Sequence, residues 1–149
     1  MLLPCGVRLM GIKLARRRFL LNRQFNYARP LIFCCEVNGY TDKVASLNTP
    51  LAKRLSHIEP SARSRRLEEC LVDCLAGQPG DLVIGDFDIL FSPTYQVDVV
   101  ALLVSAYRRH RFDVLWPGTF VGNELVYAEE GYPDYRTYDI NRYDITCIF

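Results

Sequence analysis

The sequence predicts an α/β fold in which a largely parallel sheet is flanked by helices. Short apolar runs typical of buried strands, such as residues 31–35, alternate with segments such as 64–75, whose apolar residues recur at helical spacing. Strands that are separated by helices pair in parallel, because the crossover helix returns the chain to the same end of the sheet. The length of 149 residues is that of one ordinary domain, so we predict a single domain over residues 1–149.

The individual elements are predicted from apolar spacing and from helix start and stop signals. Thr49 is the expected N-cap of the second helix, with Pro50 at the first helical position. The predicted helices are residues 7–22, 49–57, 64–75 and 95–109. The predicted strands are residues 31–35, 44–47, the apolar part of the run 81–91, 112–116, 125–128 and 144–149.

Charge is distributed unevenly along the chain. Residues 1–30 carry seven bases and no acid, whereas residues 31–149 carry 11 bases and 17 acids. We therefore predict a basic N-terminal helical extension over about residues 1–28. Such a segment binds a polyanion such as DNA, docks onto an acidic partner, or is simply a solvated face. The bases of this predicted patch are Arg16, Arg17, Arg18 and Arg23.

Targeting and membrane signals are not evident in the sequence. The basic N-terminal segment has no uninterrupted apolar stretch followed by a small-residue cleavage site, so we expect no signal peptide. No run approaches the ~20 apolar residues of a membrane span, so we expect no membrane partner. The six cysteines have neither the second Cys pair nor the nearby His of a zinc site, and we expect no metal, reduced core thiols and a cytoplasmic location.

Two acids, Asp86 and Asp88, follow the apolar run 82–84. An apolar strand that ends in carboxylates is typical of a Walker B segment, because a Mg²⁺-bound phosphate needs an acid at the carboxyl edge of the sheet. Acids at this position also cap the turn that follows many strands. Both interpretations remain open on these residues alone.

Residues 46–149 resemble the BrxF family, the small P-loop proteins of BREX phage-defence systems. The resemblance rests on residues 46–55, 85–91, 116–118 and 127–138, the last of which contains the string Tyr-Ala-Glu-x-Gly-x-Pro-x-Tyr-Arg-x-Tyr. It implies a P-loop NTPase-like fold in a prokaryotic cytoplasmic protein that acts as a nucleotide-binding accessory. It also implies partners, namely a larger ATPase, a DNA methyltransferase and a phosphatase-like protein.

The phosphate-binding loop of that family is degenerate in this chain. When Lys43 is aligned with the lysine of G-x-x-x-x-G-K-[ST], Val37 and Asp42 replace the glycines and Val44 replaces the Mg²⁺-binding hydroxyl. The next strand is predicted to begin at once, which leaves no room for the phosphate-binding helix. Either the chain turns as a hairpin at residues 38–39, or the N-terminal helix fills the vacant space.

The Walker B-like segment also departs from the family pattern. Aligning residues 89–91 places Gly85 where the family has its leading Asp and Asp88 where it has a Glu. We therefore expect a degenerate P-loop NTPase-like domain that binds no cofactor, is not an enzyme and acts as an adaptor. Two alternatives remain open: an accessory ATPase that binds ATP and Mg²⁺ with Lys43, Asp86 and Asp88, and a DNA-binding subunit that uses the basic patch.

Two further groups of residues are predicted to form protein contacts, including contacts within an oligomer. Arginines end the last helix, where they either reach into a neighbouring ATPase or simply favour the helix C-terminus. Tyrosines near the chain end are interspersed with acids that repel nucleic acid, which favours a protein partner. The arginines are Arg108, Arg109 and Arg111, and the tyrosines are Tyr127, Tyr132, Tyr135 and Tyr138.

Overall fold

The computed structural model describes residues 11–149, and the elements of that part of the chain are short. The strands are β1 Ile12–Leu14, β2 Leu31–Phe33, β3 Val44–Ser46, β4 Val83–Gly85, β5 Asp113–Leu115, β6 Thr119–Val121, β7 Glu124–Tyr127, β8 Arg136–Asp139 and β9 Thr146–Ile148. The α-helices are α1 Arg16–Leu21, α2 Asn48–Ser56, α3 Leu67–Ala76 and α4 Val99–Arg109. Three 3₁₀ helices span Pro60–Ala62, Asp88–Phe91 and Ile140–Arg142.

Six strands form one sheet in the order β1-β9-β2-β5-β4-β3. All five neighbouring pairs are parallel, for example β3 with β4 in the register Val44↔Val83. The prediction of an α/β fold with a largely parallel sheet flanked by helices is therefore confirmed. Because all six strands point the same way, the residues that follow each strand meet at one edge of the sheet, the carboxyl edge.

The two faces of the sheet are covered differently. Ile32, Ile84 and Val114 face one side, where they pack against buried residues of α2, α3 and α4 in the main core. Their neighbours Phe33 and Val83 face the other side, because successive side chains of a strand alternate between faces. That second side is covered by α1 and by the connection 34–43.

The N-terminal segment belongs to this sheet. β1 pairs with β9, so the predicted helix over residues 7–22 is wrong over Ile12–Leu14, and its part before residue 11 lies outside the described residues. The strand β1 forms because its main chain pairs with β9 at the edge of the sheet. Three residues are too few for the apolar pattern to distinguish a strand from a helix. Phe19 of α1 is buried against Phe33 and Tyr40, with ring centroids 5.8 and 4.9 Å away.

A second, antiparallel sheet of order β6-β7-β8 lies between β5 and β9 in the sequence. Residues 125–128 were predicted as a strand and largely form β7, whereas β6 and β8 were not predicted. The Trp116 indole donates a hydrogen bond of 3.0 Å to the Val126 carbonyl and joins this sheet to the core. A Cβ at Gly118 would lie 1.9 Å from the same oxygen, so only glycine permits this close approach.

Among residues 11–149, no helix is long and apolar enough to cross a membrane. The longest, α4, has 11 residues, compared with the ~20 that a bilayer requires.

Candidate functional site

The carboxyl edge of the sheet brings together residues that are far apart in the sequence. Asn48 follows β3 and is the first residue of α2, while Asp88 follows β4 and begins a 3₁₀ helix. β3 and β4 are parallel neighbours, so the two side chains emerge side by side. Tyr127, the last residue of β7, reaches the same point from the second sheet.

Asp88 links these three segments through its carboxylate. Oδ1 accepts a hydrogen bond of 3.3 Å from the Asn48 side-chain amide, and Oδ2 accepts one of 2.7 Å from the Tyr127 hydroxyl. The side-chain oxygen Oδ1 of Asn48 in turn accepts the Ile89 backbone N–H at 3.0 Å. Burial, reinforced by the hydrogen bond to Asp88, raises the pKa of Tyr127 well above its ordinary value. Both carboxylate oxygens of Asp88 thus serve bonds inside the chain.

Aromatic packing fixes the Tyr127 ring. It stacks on Phe91 with a centroid separation of 3.7 Å and an interplanar angle of 4°. Phe91 is itself buried against Trp116 in an edge-to-face contact at 5.6 Å. Since both neighbours are part of the core, the hydroxyl of Tyr127 is held in position before any ligand arrives.

An open cleft of about 840 Å³ lies against this hydrogen-bonded group. Its lining residues come from the start of α2, the Asp88 turn and the β7–β8 connection: Asn48, Thr49, Ala52, Lys53, Asp88, Ile89, Tyr127 and Asp134. A second cleft of about 390 Å³ adjoins it and shares Asp88 and Asp134. Two carboxylates face one ammonium across the larger cleft, which gives it an acidic balance.

The start of α2 differs from the prediction in a way that matters for this cleft. Thr49 is not the N-cap, because the helix begins at Asn48, two residues before Pro50, and Leu47 occupies the cap position without a side-chain bond. The Asn48 side chain bonds to the Asp88 turn instead of to its own helix. Pro50 falls at the third helical position, where its missing N–H still costs no intrahelical bond.

Lys43 lies at the amino end of the parallel strands, whereas the two acids lie at the carboxyl end. It immediately precedes β3, whereas Asp86 and Asp88 follow the parallel strand β4. In the register of β3 and β4, Lys43 lies opposite residue 82, four residues before Asp86. At about 3.3 Å per residue, this is a separation of about 13 Å along the strands. The Lys43 side chain is exposed and makes no hydrogen bond or ion pair within residues 11–149. The structure therefore does not bring together the three residues that were predicted as a nucleotide site.

The connection 34–43 is a compact turn in which the amides of Val37, Gly39, Tyr40 and Thr41 bond within the turn. The Tyr40 N–H donates to the Val37 carbonyl at 3.0 Å, and Gly39 adopts a φ of 87° that favours glycine. The Asp42 carboxylate accepts the Gly39 N–H at 2.7 Å. A phosphate loop needs such amides free. The predicted hairpin alternative is wrong, because β2 and β3 do not pair and the turn instead packs beside α1.

Two of the positions that depart from the P-loop pattern touch each other. A Cβ at Gly85 would lie 2.5 Å from Cγ1 of Val44. Val44 and Gly85 are the residues that the BrxF resemblance aligns with the family's Mg²⁺-binding hydroxyl and its leading Asp. While Val44 keeps its place, an acid at position 85 has no room for even its first side-chain carbon.

The predicted interface residues fall in different environments. Tyr127 and Tyr138 are only 8% and 5% exposed and pack around Phe91, although Tyr127 also lines the cleft beside Asp88. Tyr135 is half-buried, and Tyr132 is exposed. The three arginines lie at and beyond the end of α4 in a separate cleft of about 420 Å³ with Tyr107 and His110, and Arg109 pairs with Glu68 at 3.3 Å.

The bases of the predicted basic patch point outward from α1 and the turn after it. Arg17, Arg18 and Arg23 are exposed and form no ion pair with any residue of 11–149. Arg16 donates to the Glu36 carbonyl at 3.2 Å. Sequence reasoning missed the ion pair of Arg29 with the buried carboxylate of Asp113. Burial raises the pKa of Asp113, although the bond from the Leu31 N–H and the charge of Arg29 act in the opposite direction.

Metal ligation receives no support from the described part of the chain. Within residues 11–149, no three His, Cys, Asp or Glu side chains are grouped so that they could hold a metal ion. The five cysteines in that range are free thiols, and Cys70, Cys74 and Cys147 are buried. The chain matches no protein-family model, no curated protein and no solved structure.

Proposed function

We propose that this chain is a noncatalytic accessory subunit of a BREX-type phage-defence complex, built on a P-loop NTPase-like plan whose nucleotide site has been lost. It works in the cytoplasm and binds a partner protein through the cleft beside Asp88. The observation that carries the proposal is that Asn48 and Tyr127 occupy both carboxylate oxygens of Asp88.

The use of Asp88 favours a binding role over a catalytic one. A carboxylate that activates water or holds Mg²⁺ is directed at its ligand. Asp88 instead joins two sheets and the start of α2, with Lys43 at the opposite end of the strands. An acid of this kind stabilises the shape of a surface.

The stretches that carry the BrxF resemblance support the same assignment. Residues 46–55, 85–91 and 127–138 supply Asn48, Asp88 and Tyr127, which form one hydrogen-bonded group. These stretches are far apart in the sequence. A shared binding surface would explain why the resemblance is concentrated in them. The partners implied by the resemblance are the larger ATPase, the methyltransferase and the phosphatase-like protein.

The lining of the cleft indicates what kind of segment it accepts. Ala52 and Ile89 offer apolar contact, while Asp88 and Asp134 give the cleft its acidic balance. Protein interfaces combine an apolar centre with charged groups at the rim. The cleft therefore suits a partner segment that places an aliphatic side chain on Ala52 and a Lys or Arg near Asp134.

The test is co-purification of the tagged chain from its native host, with mass spectrometry of the proteins retained. We expect the wild type to retain at least one BREX-type partner and Ala52→Arg, which fills the exposed cleft wall, to retain at least about tenfold less. Ala101→Arg on the exposed side of α4 is the matched control and should retain as much as the wild type. A wild-type eluate without any such partner would contradict the proposal, and equal recovery with Ala52→Arg would exclude the cleft as the binding surface.

A further inference from the structure

A basic and apolar surface, here called the basic head, is formed by α1 and the turn after it. Its exposed residues are Arg17, Arg18, Leu21, Arg23 and Phe25. Leu21 and Phe25 are 72% and 67% exposed, among the highest values for large hydrophobic side chains in residues 11–149. Apolar side chains of this size, grouped among bases, are typical of a surface that binds another molecule.

The charge of the basic head is not neutralised by its surroundings. No Asp or Glu precedes Glu36 in the sequence, so the N-terminal residues themselves cannot supply a counter-charge. Of the neighbouring bases, Arg29 is paired with Asp113 and Arg16 with a carbonyl oxygen. The head therefore presents three guanidinium groups to an acidic ligand.

A surface of complementary chemistry, here called the acidic loop, is formed by residues 129–132 of the β7–β8 connection. Glu129 and Glu130 are exposed and make no ion pair within residues 11–149, and Tyr132 is 61% exposed. A turn closed by the Tyr132 N–H and the Glu129 carbonyl at 3.1 Å holds the loop, with Gly131 at a φ of 98°. A preordered loop loses little conformational entropy on binding.

The two surfaces lie on different parts of one molecule. α1 covers one face of the six-stranded sheet, where Phe19 packs against Phe33 of β2. The acidic loop leads to Asp134, which lines the cleft with Asn48 and Asp88 beyond the carboxyl ends of β3 and β4. Within residues 11–149, no ion pair joins the two surfaces in one copy.

We propose that the basic head of one copy binds the acidic loop of a second copy. Arg17 and Arg18 pair with Glu129 and Glu130, and Tyr132 packs on Leu21 and Phe25. Such a contact uses two different surfaces, so a bound pair still presents one free head and one free loop, and the chain assembles head to tail. This association involves only the chain itself and does not depend on the proposed function.

The test is sedimentation velocity of the purified full chain over a concentration series at about 50 and about 500 mM salt. We expect the average mass to rise with concentration at low salt and to fall toward the monomer at high salt, because exposed ion pairs are screened. Arg17→Glu with Arg18→Glu, and separately Glu129→Lys with Glu130→Lys, should each weaken association at least about tenfold. Urea unfolding midpoints equal to that of the wild type would establish that both variants are folded.

Mixing the two double variants gives the decisive result. One variant has two acidic surfaces and the other has two basic ones, so neither should assemble alone, whereas the mixture should assemble with the two variants in alternation. All four reversals in one chain should restore assembly. A wild type that stays monomeric at low salt, or a mixture that stays monomeric, would overturn the proposal. A monomeric wild type whose head binds duplex DNA would assign that surface to nucleic acid instead.

Discussion

The hydroxyl of Tyr127 donates a 2.7 Å hydrogen bond to Oδ2 of Asp88 and so joins the antiparallel sheet to the carboxyl edge of the parallel one. Asp88 begins the turn after β4 and also accepts a hydrogen bond from the Asn48 amide. It therefore has a structural role at the junction of the two sheets.

Removal of the Asp88 carboxylate should destabilise the fold. Asp88→Ala leaves the Asn48 amide and the Tyr127 hydroxyl without their acceptor, and we expect a loss of about 1–2 kcal/mol in the free energy of unfolding. Asp88→Asn should lose less, because its amide oxygen still accepts from Tyr127. Urea unfolding followed by fluorescence of Trp116, the single tryptophan, measures both.

Asp86→Asn is the control for that series. Asp86 is exposed, and its φ of 46° is one that asparagine adopts readily. The free energy of unfolding of Asp86→Asn should therefore equal that of the wild type. If Asp88→Ala proved as stable as Asp86→Asn, the structural role assigned to Asp88 would be wrong.

The tyrosine hydrogen bonds should make the chain sensitive to alkaline pH. Burial and the bond to Asp88 raise the pKa of Tyr127, and burial and a 2.6 Å bond to Asp98 raise that of Tyr143. Above about pH 10 the unfolded tyrosines lose protons that the folded chain retains. The free energy of unfolding should therefore be unaffected by these groups below that pH and should fall as the pH rises beyond it.

Tyr127→Phe tests the assignment of that pH dependence. The ring still stacks on Phe91, so the cost at pH 7 should be about 1 kcal/mol, and the alkaline decline should be shallower than in the wild type. Tyr132→Phe, at an exposed ring, should leave the decline unchanged. An equal decline in Tyr127→Phe and the wild type would count against the hydrogen bond.

Gly85 and Val44 should behave as a coupled pair. Gly85→Ala places a Cβ 2.5 Å from Val44 Cγ1, and we expect it to cost about 1–3 kcal/mol. Adding Val44→Ala removes the clash, so the double variant should be more stable than the sum of the two single effects by about 1 kcal/mol or more. Gly85→Ala combined with Val104→Ala on α4 should instead be additive. Additivity in both pairs would show that the close contact carries no strain.

Elements that lie in longer apolar runs were predicted from the sequence, whereas short, exposed elements were not. β2, β4, β5 and β9 lie in apolar runs and were predicted close to their observed bounds. β1 was missed because Ile12 and Lys13 are exposed and three residues have no usable period. β8 was missed because it exposes Thr137 and Asp139 and depends on cross-strand pairing with β7.

The candidate site was only partly predictable. Asp88 was identified from its place after an apolar strand, and Tyr127 from the tail motif. Their mutual hydrogen bond depends on how the second sheet packs, which no local pattern encodes. Asn48 was overlooked beside the helix-start signal of Thr49 and Pro50. The sequence does contain one usable signal, a polar residue directly after a strand of a parallel sheet.

Calorimetric titration of the wild-type chain with ATP and Mg²⁺ tests the central claim most directly. We expect no binding tighter than about 1 mM, because Lys43 lies at the opposite end of the strands from Asp88, the Gly39 amide is bonded to Asp42, and Asp88 accepts bonds from Asn48 and Tyr127. Binding at micromolar concentration that disappears in Lys43→Ala and in Asp88→Asn would contradict the account and restore a nucleotide-binding accessory role.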